Sequence, residues 1–515
     1  MASTAHSYAA LSRRLDGMTK LSDGWTLGFC GYSTKDVAWR FLQRCTEIGV
    51  FQYTRISAEQ FQKTGSFPSD TSMVDCGGVR FVSDQRISIS ASLFLRALLE
   101  YLVHWAHAFI ALVLALRFHQ GHSRFTLLYG VGIADLTAEG SDQRFLNFCC
   151  NGNVEPLTHY DKMAVQMTQP IRGTCPNRVR YGRFPLFLAL GWRGLPMREW
   201  MRALWNHLVT MRSFVSAVIR FPGLILLGRD AAYHAAAESL NRVGALRDIV
   251  LTNSNYFSQA LWMWALENRN HRLHLVWYSQ NNFPVVYADD PVCAPIPNLR
   301  FVKADTQWVW TTAFKRFLVG LGCDSDFKVI GPILWQLPGS PMKISRDGLR
   351  VAVFDVTPID MATERGLGLI RNFYTDQIMT QFIRDVVVVS QRLEGELGRK
   401  IEIVLKHKRI HASIHADGYL NVVRNLEETE RIRIVPPTTN LYDLIDSSDA
   451  VVAAPFSSPA YVGVARGRAA AWYDPTGSLR PMEDNEGICH VSGCDELERF
   501  VRRVYEERVV CAVET

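Results

Sequence analysis

The chain has 515 residues, of which 48% are hydrophobic and 21% charged, and it carries a formal net charge of +6 at pH 7. The length excludes one ordinary domain and predicts two or three, each with its own core. The charge is mild for this length, so it fits an anionic substrate or an acidic membrane surface without requiring nucleic acid, and no nucleic-acid-binding motif occurs.

The N-terminal residues and the cysteines indicate the compartment. The first residues contain no apolar segment long enough for a secretory signal. The eleven cysteines form no CxxC pair and no Cys/His spacing that suits zinc. We therefore expect a reduced, cytoplasmic protein without a metal site.

Short apolar runs alternate with helical patterns in the N-terminal part. The predicted strands are TLGFC (26–30), FTLLYGVGIAD (125–135), RFLNFCC (144–150), LILLG (224–228), DIVLTNS (248–254) and HLVWYSQN (274–281). The predicted helices cover residues 231–243 and 257–269. Such alternation predicts a parallel sheet covered by helices on both faces.

Two segments of the same part are candidates for contact with a membrane. The apolar region 93–118 has an uncharged stretch only from Tyr101 to Leu116, below the roughly 18 to 20 residues of a spanning helix. The segment 190–223 interleaves tryptophan and phenylalanine with arginine, which suits the bilayer interface. Two buried helices that pack inside a large domain are an equally weighted alternative.

After a loop rich in Pro and Gly at 329–348, the alternation restarts. The predicted strands are 349–358, 400–409, 431–436, 450–456 and 469–474, and the predicted helices are 372–397, 418–428, 440–448 and 459–467. We predict an α/β protein with two Rossmann-like domains facing a cleft. The first domain covers residues 1–335, with helical insertions at about 90–120 and 190–222, and the second covers 345–515.

The stretch VVAAPFSSPAYVGVARG (451–467) ends an apolar strand and begins a helix. Ser458 is a good N-cap, Pro459 a good first helical residue and Gly467 a good stop. The N–H groups of the first turn, the hydroxyls of Ser457 and Ser458 and the helix dipole would form an anion site that fits a phosphate. A plain N-cap without a ligand is the competing interpretation.

A second candidate for phosphate binding is the basic end of the strand VLKHKR. Period-two alternation places Lys406 and Lys408 on one face and His407 and Arg409 on the other. These four residues would form a clamp for phosphate, and a solvated charge run is the alternative. The strand end FDVTP (354–358) carries no GxGxxG, which disfavours NAD or FAD.

The order FDVTP, LKHKR and PFSS resembles that of bacterial surface-polysaccharide biosynthesis proteins named for a PFTS motif. In this sequence the motif is Pro455–Ser458, with Ser457 in the place of threonine, which keeps a hydroxyl. The segments HLVWYSQN and GPILW also fit, so the resemblance spans roughly residues 248–500.

The resemblance implies a metal-independent glycosyltransferase of the two-domain GT-B type, whose C-terminal domain holds a nucleotide sugar and whose N-terminal domain holds the acceptor. Its product would be a surface polysaccharide such as O-antigen, capsule or lipopolysaccharide. The basic strand end is also similar to that of bacterial sialyltransferases and ulosonic-acid transferases, which use CMP-activated donors such as CMP-Kdo. This chain has His407–Lys408 where those enzymes have His-Pro.

The resulting hypothesis assigns a role to each candidate residue. The predicted nucleotide-binding residues are Lys406, His407, Lys408, Arg409, Phe456, Ser457 and Ser458. The candidate bases for an acceptor hydroxyl are Asp135, then Glu139 and Glu155. The residues expected to line the acceptor side of the cleft are Asn253, Ser254, Ser279 and Asn281. A loop N-cap is the alternative for Asp135, and the cleft residues could equally serve as turn formers.

The expected partners are a nucleotide sugar, a saccharide or lipid-linked saccharide acceptor, and the surface of the inner membrane. No cofactor and no metal is expected, because Asp289–Asp290 is the nearest approach to a metal-binding carboxylate pair and fits a loop turn better. The alternatives are a UDP- or GDP-dependent transferase, a non-catalytic membrane-tethering or assembly protein of the same fold and, more weakly, a sugar-nucleotide epimerase.

Overall fold

The computed structural model describes residues 28–45, 47–48, 75–76, 78–83, 86–114, 125–131, 163–167, 179–182, 196–253, 259–280, 286–289, 299–333, 348–360, 373–408, 415–437, 439–482 and 486–513. The strands are β1 Asp75–Cys76, β2 Val79–Ser83, β3 Arg86–Ile89, β4 Phe125–Val131, β5 Met163–Met167, β6 Val179–Gly182, β7 Leu246–Thr252, β8 Arg272–Val276, β9 Thr306–Val309, β10 Asp326–Val329, β11 Gly348–Phe354, β12 Lys400–Lys406, β13 Arg433–Val435, β14 Ala450–Ala453, β15 Ala469–Asp474 and β16 Cys489–Ser492. The helices are α1 (34–45), α2 Ala91–Leu114, α3 Met197–Arg220, α4 Gly228–Arg242, α5 Leu261–Trp264, α6 Thr312–Gly320, α7 Asp376–Leu397, α8 Asp417–Glu428, α9 Leu441–Asp446, α10 Ser458–Ala465 and α11 Gly493–Val513.

Two parallel sheets organise the chain, as predicted. The first has the order β10-β9-β8-β7-β4-β5-β6 and the second the order β13-β12-β11-β14-β15-β16. Numbered within its own domain, the second sheet reads 3-2-1-4-5-6, which is the Rossmann order. The first sheet has the same order with one strand added at an edge. A small antiparallel sheet, β1-β2-β3, lies beside them.

The second domain follows its predicted elements closely. Each predicted strand is confirmed, although β12 ends at Lys406 rather than at Arg409. The ends of α7 carry the capping residues that make a helix predictable from sequence. The Thr375 hydroxyl accepts a hydrogen bond from the Ile378 amide at 3.3 Å, and Gly398 ends the helix with φ +60°. The predicted domain boundary falls among residues 334–347, outside the described part of the chain.

Three N-terminal predictions fail over the residues that the structure describes. The run LILLG is not a strand, because Pro222–Leu227 form a 3₁₀ helix whose leucine and isoleucine side chains are all buried. A short apolar run occurs in a buried helical segment as well as in a buried strand, so the sequence pattern alone could not distinguish a strand from a 3₁₀ helix here. The helix predicted at 257–269 is reduced to Leu261–Trp264. TLGFC forms no strand over residues 28–30, and RFLNFCC lies outside the described residues.

The carboxyl edges of the two sheets meet. The Gln280 amide, beyond the end of β8, donates to the Ser458 hydroxyl at 3.3 Å. Nearby, the Ala288 amide donates to the Ser478 carbonyl and the Arg480 amide donates to the Val286 carbonyl, both at 2.9 Å. The two domains therefore face each other with their loop-bearing edges, which is where ligands bind in open parallel sheets.

The helices α2 and α3 lie side by side over α4. The Trp200 indole N–H of α3 donates to the Leu112 carbonyl of α2 at 2.8 Å, and a His207 ring nitrogen is 3.2 Å from the Trp105 carbonyl. These contacts bury one flank of each helix, while the outer flank of both remains exposed. The expectation of two buried helices is therefore wrong for the outer flanks.

Candidate functional site

The centre of the second sheet defines the candidate site. The neighbouring strands β11 and β14 are where the strand order reverses, and a crevice opens at their carboxyl ends in folds of this kind. The segment Asp355–Pro358 follows β11, and Ala454–Ser457 follows β14. The PFSS motif therefore lies at the point of the domain that favours a ligand.

The backbone of the motif makes a sharp turn. Phe456 has φ +57°, which costs a residue with a Cβ of the order of 1 kcal/mol. Its buried ring packs against Trp472 and His490, with centroid distances of 5.4 and 5.9 Å. The Trp472 indole N–H donates to the Ser457 carbonyl at 3.1 Å. Phe456 is therefore an anchor that fixes the direction of the following serines.

The structure differs from the prediction in which of the two serines is the N-cap. The N-cap of α10 is Ser457 rather than Ser458, and its hydroxyl donates to the Ala454 carbonyl at 2.6 Å instead of capping the helix. The Ser458 hydroxyl accepts the interdomain hydrogen bond from Gln280. Ser457 thus closes the turn, and Ser458 stands at the junction of the two domains.

A buried polar cluster supports the neighbouring strand end. One Asp355 oxygen accepts from His407 Nδ1 at 2.6 Å and from the Tyr419 hydroxyl at 2.9 Å, and the other accepts from the Lys408 amide at 2.9 Å. The Asp355 side chain is completely buried and the His407 side chain 2% exposed. Burial, and then the Asp355 carboxylate, raise the pKa of Tyr419 well above its ordinary value. His407 therefore turns inwards and positions the loop.

The two predicted lysines make different contacts. Lys406 Nζ donates to the Pro437 carbonyl at 2.7 Å, so this ammonium group ties β12 to the loop after β13. Lys408 is exposed at the same edge, with its amide held by Asp355. Arg409 lies outside the described residues. Of the described residues Lys406 to Lys408, Lys408 is the one whose side chain is exposed.

The first domain contributes two of the predicted cleft residues. Asn253 Nδ2 donates to the Ser279 hydroxyl at 3.2 Å, and the Tyr278 amide donates to Asn253 Oδ1 at 3.1 Å. Ser279 precedes Gln280, which bonds Ser458, so both residues lie beside the PFSS turn. The remaining first-domain predictions lie outside the described residues: Ser254, Asn281, Asp135, Glu139 and Glu155.

A comparison with protein families identifies the same motif that the sequence analysis singled out. A family model described as polysaccharide biosynthesis PFTS motif protein matches residues 213–501, more than half of the chain. The chain belongs to this family. No curated protein matches it. The family match covers the end of α3, α4, the strands β7 to β10 of the first sheet and nearly all of the second domain.

Several solved structures are distantly similar to this PFTS-motif protein. The wall teichoic acid polymerase TagF has a TM-score of 0.38 at 9% identity, over 80% of this chain and 88% of that one. A UDP-forming trehalose-phosphate synthase from Burkholderia xenovorans has a TM-score of 0.38 at 9% identity, over 74% and 92%. TarM has a TM-score of 0.33 at 10% identity, and the match spans 55% of this chain and about half, 51%, of TarM. These scores are low, so the family and the geometry carry the functional argument.

Two residues of the PFTS-motif protein have contacts that the sequence analysis did not predict. Asp355 was predicted only as part of the strand end FDVTP, and Gln280 only as part of the polar strand end that could line the cleft. A usable signal existed for Asp355: β11 and β12 are adjacent and parallel, so a carboxylate after one and a histidine after the other must lie close together. No group of three or more His, Cys, Asp or Glu suited to a metal occurs within the described ranges.

Proposed function

We propose that this protein is a metal-independent glycosyltransferase of polysaccharide biosynthesis, with a nucleotide sugar bound in the second domain and the acceptor in the first. The observation that carries the proposal is the position of the PFSS turn. It lies at the strand-order reversal of a Rossmann sheet and contacts the strand ends of the other domain through Ser458 and Gln280. A donor held there would meet an acceptor across the junction.

The proposed reaction is a transfer of the sugar to an acceptor hydroxyl. An acceptor oxygen forms a bond to the anomeric carbon, while the bond from that carbon to the donor phosphate oxygen breaks and leaves its electron pair on the phosphate. The proton of the acceptor hydroxyl passes to a base, for which Asp135 is the first candidate and Glu139 and Glu155 are the next. Lys408 and the first turn of α10 would stabilise the charge that develops on the phosphate, without reorganisation.

The donor proposed first is a CMP-activated ulosonic acid such as CMP-Kdo. Its support is the basic strand end, of which Lys408 is exposed. The inward orientation of His407 weakens the similarity to transferases with a His-Pro dipeptide, because its ring is bound to Asp355 rather than directed at the crevice. A UDP- or GDP-linked sugar is the alternative donor.

A thermal-shift screen with CMP, UDP, GDP and dTDP tests the site, because a ligand that binds only the folded state raises the melting temperature. The variants Ser458→Ala and Lys408→Ala should reduce the shift, while Ser492→Ala, an exposed serine at the end of β16, should leave it unchanged. A shift with CMP alone supports the CMP donor, and one with a diphosphate nucleotide replaces it. If no nucleotide shifts the protein, the transferase proposal is wrong.

The outer flanks of α2 and α3 support a second part of the proposal, contact with the inner-membrane surface. Large apolar side chains are exposed there at helical spacing: Leu95, Leu99, Leu102, Val103, Ile110 and Val113 on α2, and Met197, Met201, Trp205, Leu208, Val209, Val215 and Ile219 on α3. Trp205 is 67% exposed and Ile219 77%. Clustered apolar exposure of this kind marks an interaction site.

Charge favours a lipid surface as the partner of these flanks. The two helices carry five arginines and two glutamates, which suits anionic headgroups. Within the described residues, Ala91–Val113 is the one helix long and apolar enough to cross a membrane, but its buried flank packs on α3 and α4. We therefore place α2 on the surface of the bilayer.

Sedimentation with vesicles tests this part. Vesicles that contain one-third phosphatidylglycerol should bind the protein, and Trp205→Ser with Ile219→Ser should reduce binding at least tenfold. The control Val388→Ser changes an exposed valine on α7, far from the two helices. Unchanged binding of the double variant, or a stable dimer without affinity for vesicles, contradicts the proposal. The same exposed flanks favour the second candidate function, a non-catalytic membrane-tethering protein, which would bind vesicles and no nucleotide.

A further inference from the structure

A cavity of about 380 Å³ lies in the first domain, outside the residues assigned so far. This volume is within the range of about 300 to 1,000 Å³ that is usual for small-molecule sites. Its walls come from α1 and the residues just after it, α2, the end of β4, the 3₁₀ helix Pro222–Leu227, the start of α4 and the segment before α5. Tyr129 in β4 and Ala260 beyond β7 place it at the carboxyl edge of the sheet.

The position in the sheet is informative. The strands β4 and β7 are neighbours, and the strand order of the first sheet reverses between them. The cavity is therefore at the topological switch point of the first domain, as the PFSS turn is in the second. Each domain of the molecule thus has a candidate site where its own fold favours one.

The cavity is lined by positive charge. Four guanidinium groups face three carboxylates, and each carboxylate is already used: Asp230 pairs with Arg40 at 3.0 Å, Glu47 with Arg44 at 2.7 Å and Glu100 with Arg96 at 3.4 Å. The fourth guanidinium, of Arg229, is 5.8 Å from the centre of the Tyr129 ring; within the described part of the chain it forms no salt bridge, although the charge of Asp230 acts on it from a longer distance. One positive charge in the wall is therefore left for an anion.

The helix α2 joins this cavity to the apolar flank. Leu93, Arg96, Ala97 and Glu100 line the cavity, while Leu95 and Leu99 on the same turns are exposed at 58% and 64%. A molecule with an anionic group and a hydrocarbon tail could place the group beside Arg229 and lay the tail along α2. Guanidinium groups bind phosphate through charge-assisted hydrogen bonds in a fixed fork geometry.

We propose that the cavity binds the phosphate of an amphiphilic acceptor, a lipid-linked phosphate, and so presents the acceptor to the donor domain. The inference rests on the proposed function, since it names the substrate class of the acceptor domain. Arg229 would contact the phosphate directly, and Arg96 would attract it electrostatically from the rim of the cavity.

Calorimetric titration with dodecyl phosphate, below the concentration at which it forms micelles, tests the inference. Wild type and Arg272→Gln, an exposed arginine on β8, should bind equally. Arg229→Gln should bind at least tenfold more weakly, because it removes a charged hydrogen bond. The side chain of Arg96 is 73% exposed, so Arg96→Gln should fold as wild type does. This variant should weaken binding about threefold, because it removes a charge at the rim of the cavity.

Two controls define the ligand. Inorganic phosphate should bind more weakly than dodecyl phosphate, and dodecyl maltoside, which has the tail without the phosphate, should show no dependence on Arg229. Equal affinity of wild type, Arg229→Gln and Arg96→Gln for dodecyl phosphate would overturn the inference. Equal binding of inorganic and dodecyl phosphate would overturn its lipid part.

The outcome is separable from that of the proposed function. Donor binding is measured by the nucleotide thermal shift, to which Arg229→Gln should be indifferent because the cavity is in the other domain. If the protein binds no nucleotide, but binds dodecyl phosphate more weakly as Arg229→Gln than as wild type, the proposal of a transferase is contradicted. The assignment of the cavity as a phosphate site would still be supported.

Discussion

The buried cluster around Asp355 offers the sharpest test of how the second domain holds its site. Asp355→Ala removes the acceptor for His407 Nδ1, the Tyr419 hydroxyl and the Lys408 amide at once. Removal of one partner from such a buried charged network costs about 3–5 kcal/mol. Asp355→Asn keeps the volume and one oxygen, so the loss should be near 1.5–3 kcal/mol, the value of one charge-assisted hydrogen bond.

Urea unfolding followed by tryptophan fluorescence measures these differences. The matched control is Asp326→Asn, because Asp326 pairs with Lys328 at 3.0 Å but is 59% exposed, so its removal should cost less than about 1 kcal/mol. The expected order of destabilisation is Asp355→Ala, Asp355→Asn, Asp326→Asn. A loss for Asp355→Ala within experimental error of the control would refute the account of this cluster.

Three further outcomes are expected. Gly463→Ala should destabilise by about 1 kcal/mol, because its Cβ would lie 3.0 and 3.1 Å from side chains of β14 and β15, whereas Gly395→Ala, with open space at that position, should stabilise by about 0.5–1 kcal/mol in urea unfolding. Phe456→Ala should lose about 3–5 kcal/mol in the same assay, and a loss below 1 kcal/mol would contradict its role as an anchor. Burial lowers the pKa of His207 and His271 from 6.5 to about 4. As the pH falls below 6.5, the unfolded chain therefore binds protons at these histidines before the folded chain does, and the free energy of unfolding should fall by up to about 1.4 kcal/mol per pH unit for each histidine, down to pH 4. The variant His207→Gln should reduce this slope.

The second domain could be predicted from sequence because its physical signals are local. Strands of a parallel sheet that is covered on both faces are continuous apolar runs, and Gly398 and Gly467 adopt positive φ where their helices end. In the first domain the same signal fails. Leu224 and Trp262 are buried in a 3₁₀ helix and in a single helical turn, and burial alone makes both segments apolar.

The candidate site was predictable in place but not in its connections. The PFSS turn and the strand end with Lys406 to Lys408 lie together at the carboxyl edge of the second sheet, as the sequence predicted. The pairing of Asp355 with His407 joins residues 52 positions apart, and the cavity around Arg229 is lined by residues that range from Arg40 to Ala260, so neither has a local pattern. In sequence, the arginines that line the cavity also look the same as arginines that are exposed on a solvated surface.

The apolar interior does not respect the division into two domains. One contiguous cluster of buried side chains includes Val250 and Trp308 of the first sheet and Ala352 and Val451 of the second. Each half, expressed alone, would therefore expose part of this cluster to water and should be poorly soluble. The intact chain should melt in one cooperative transition, and the two halves should recover a native spectrum only when they are refolded together.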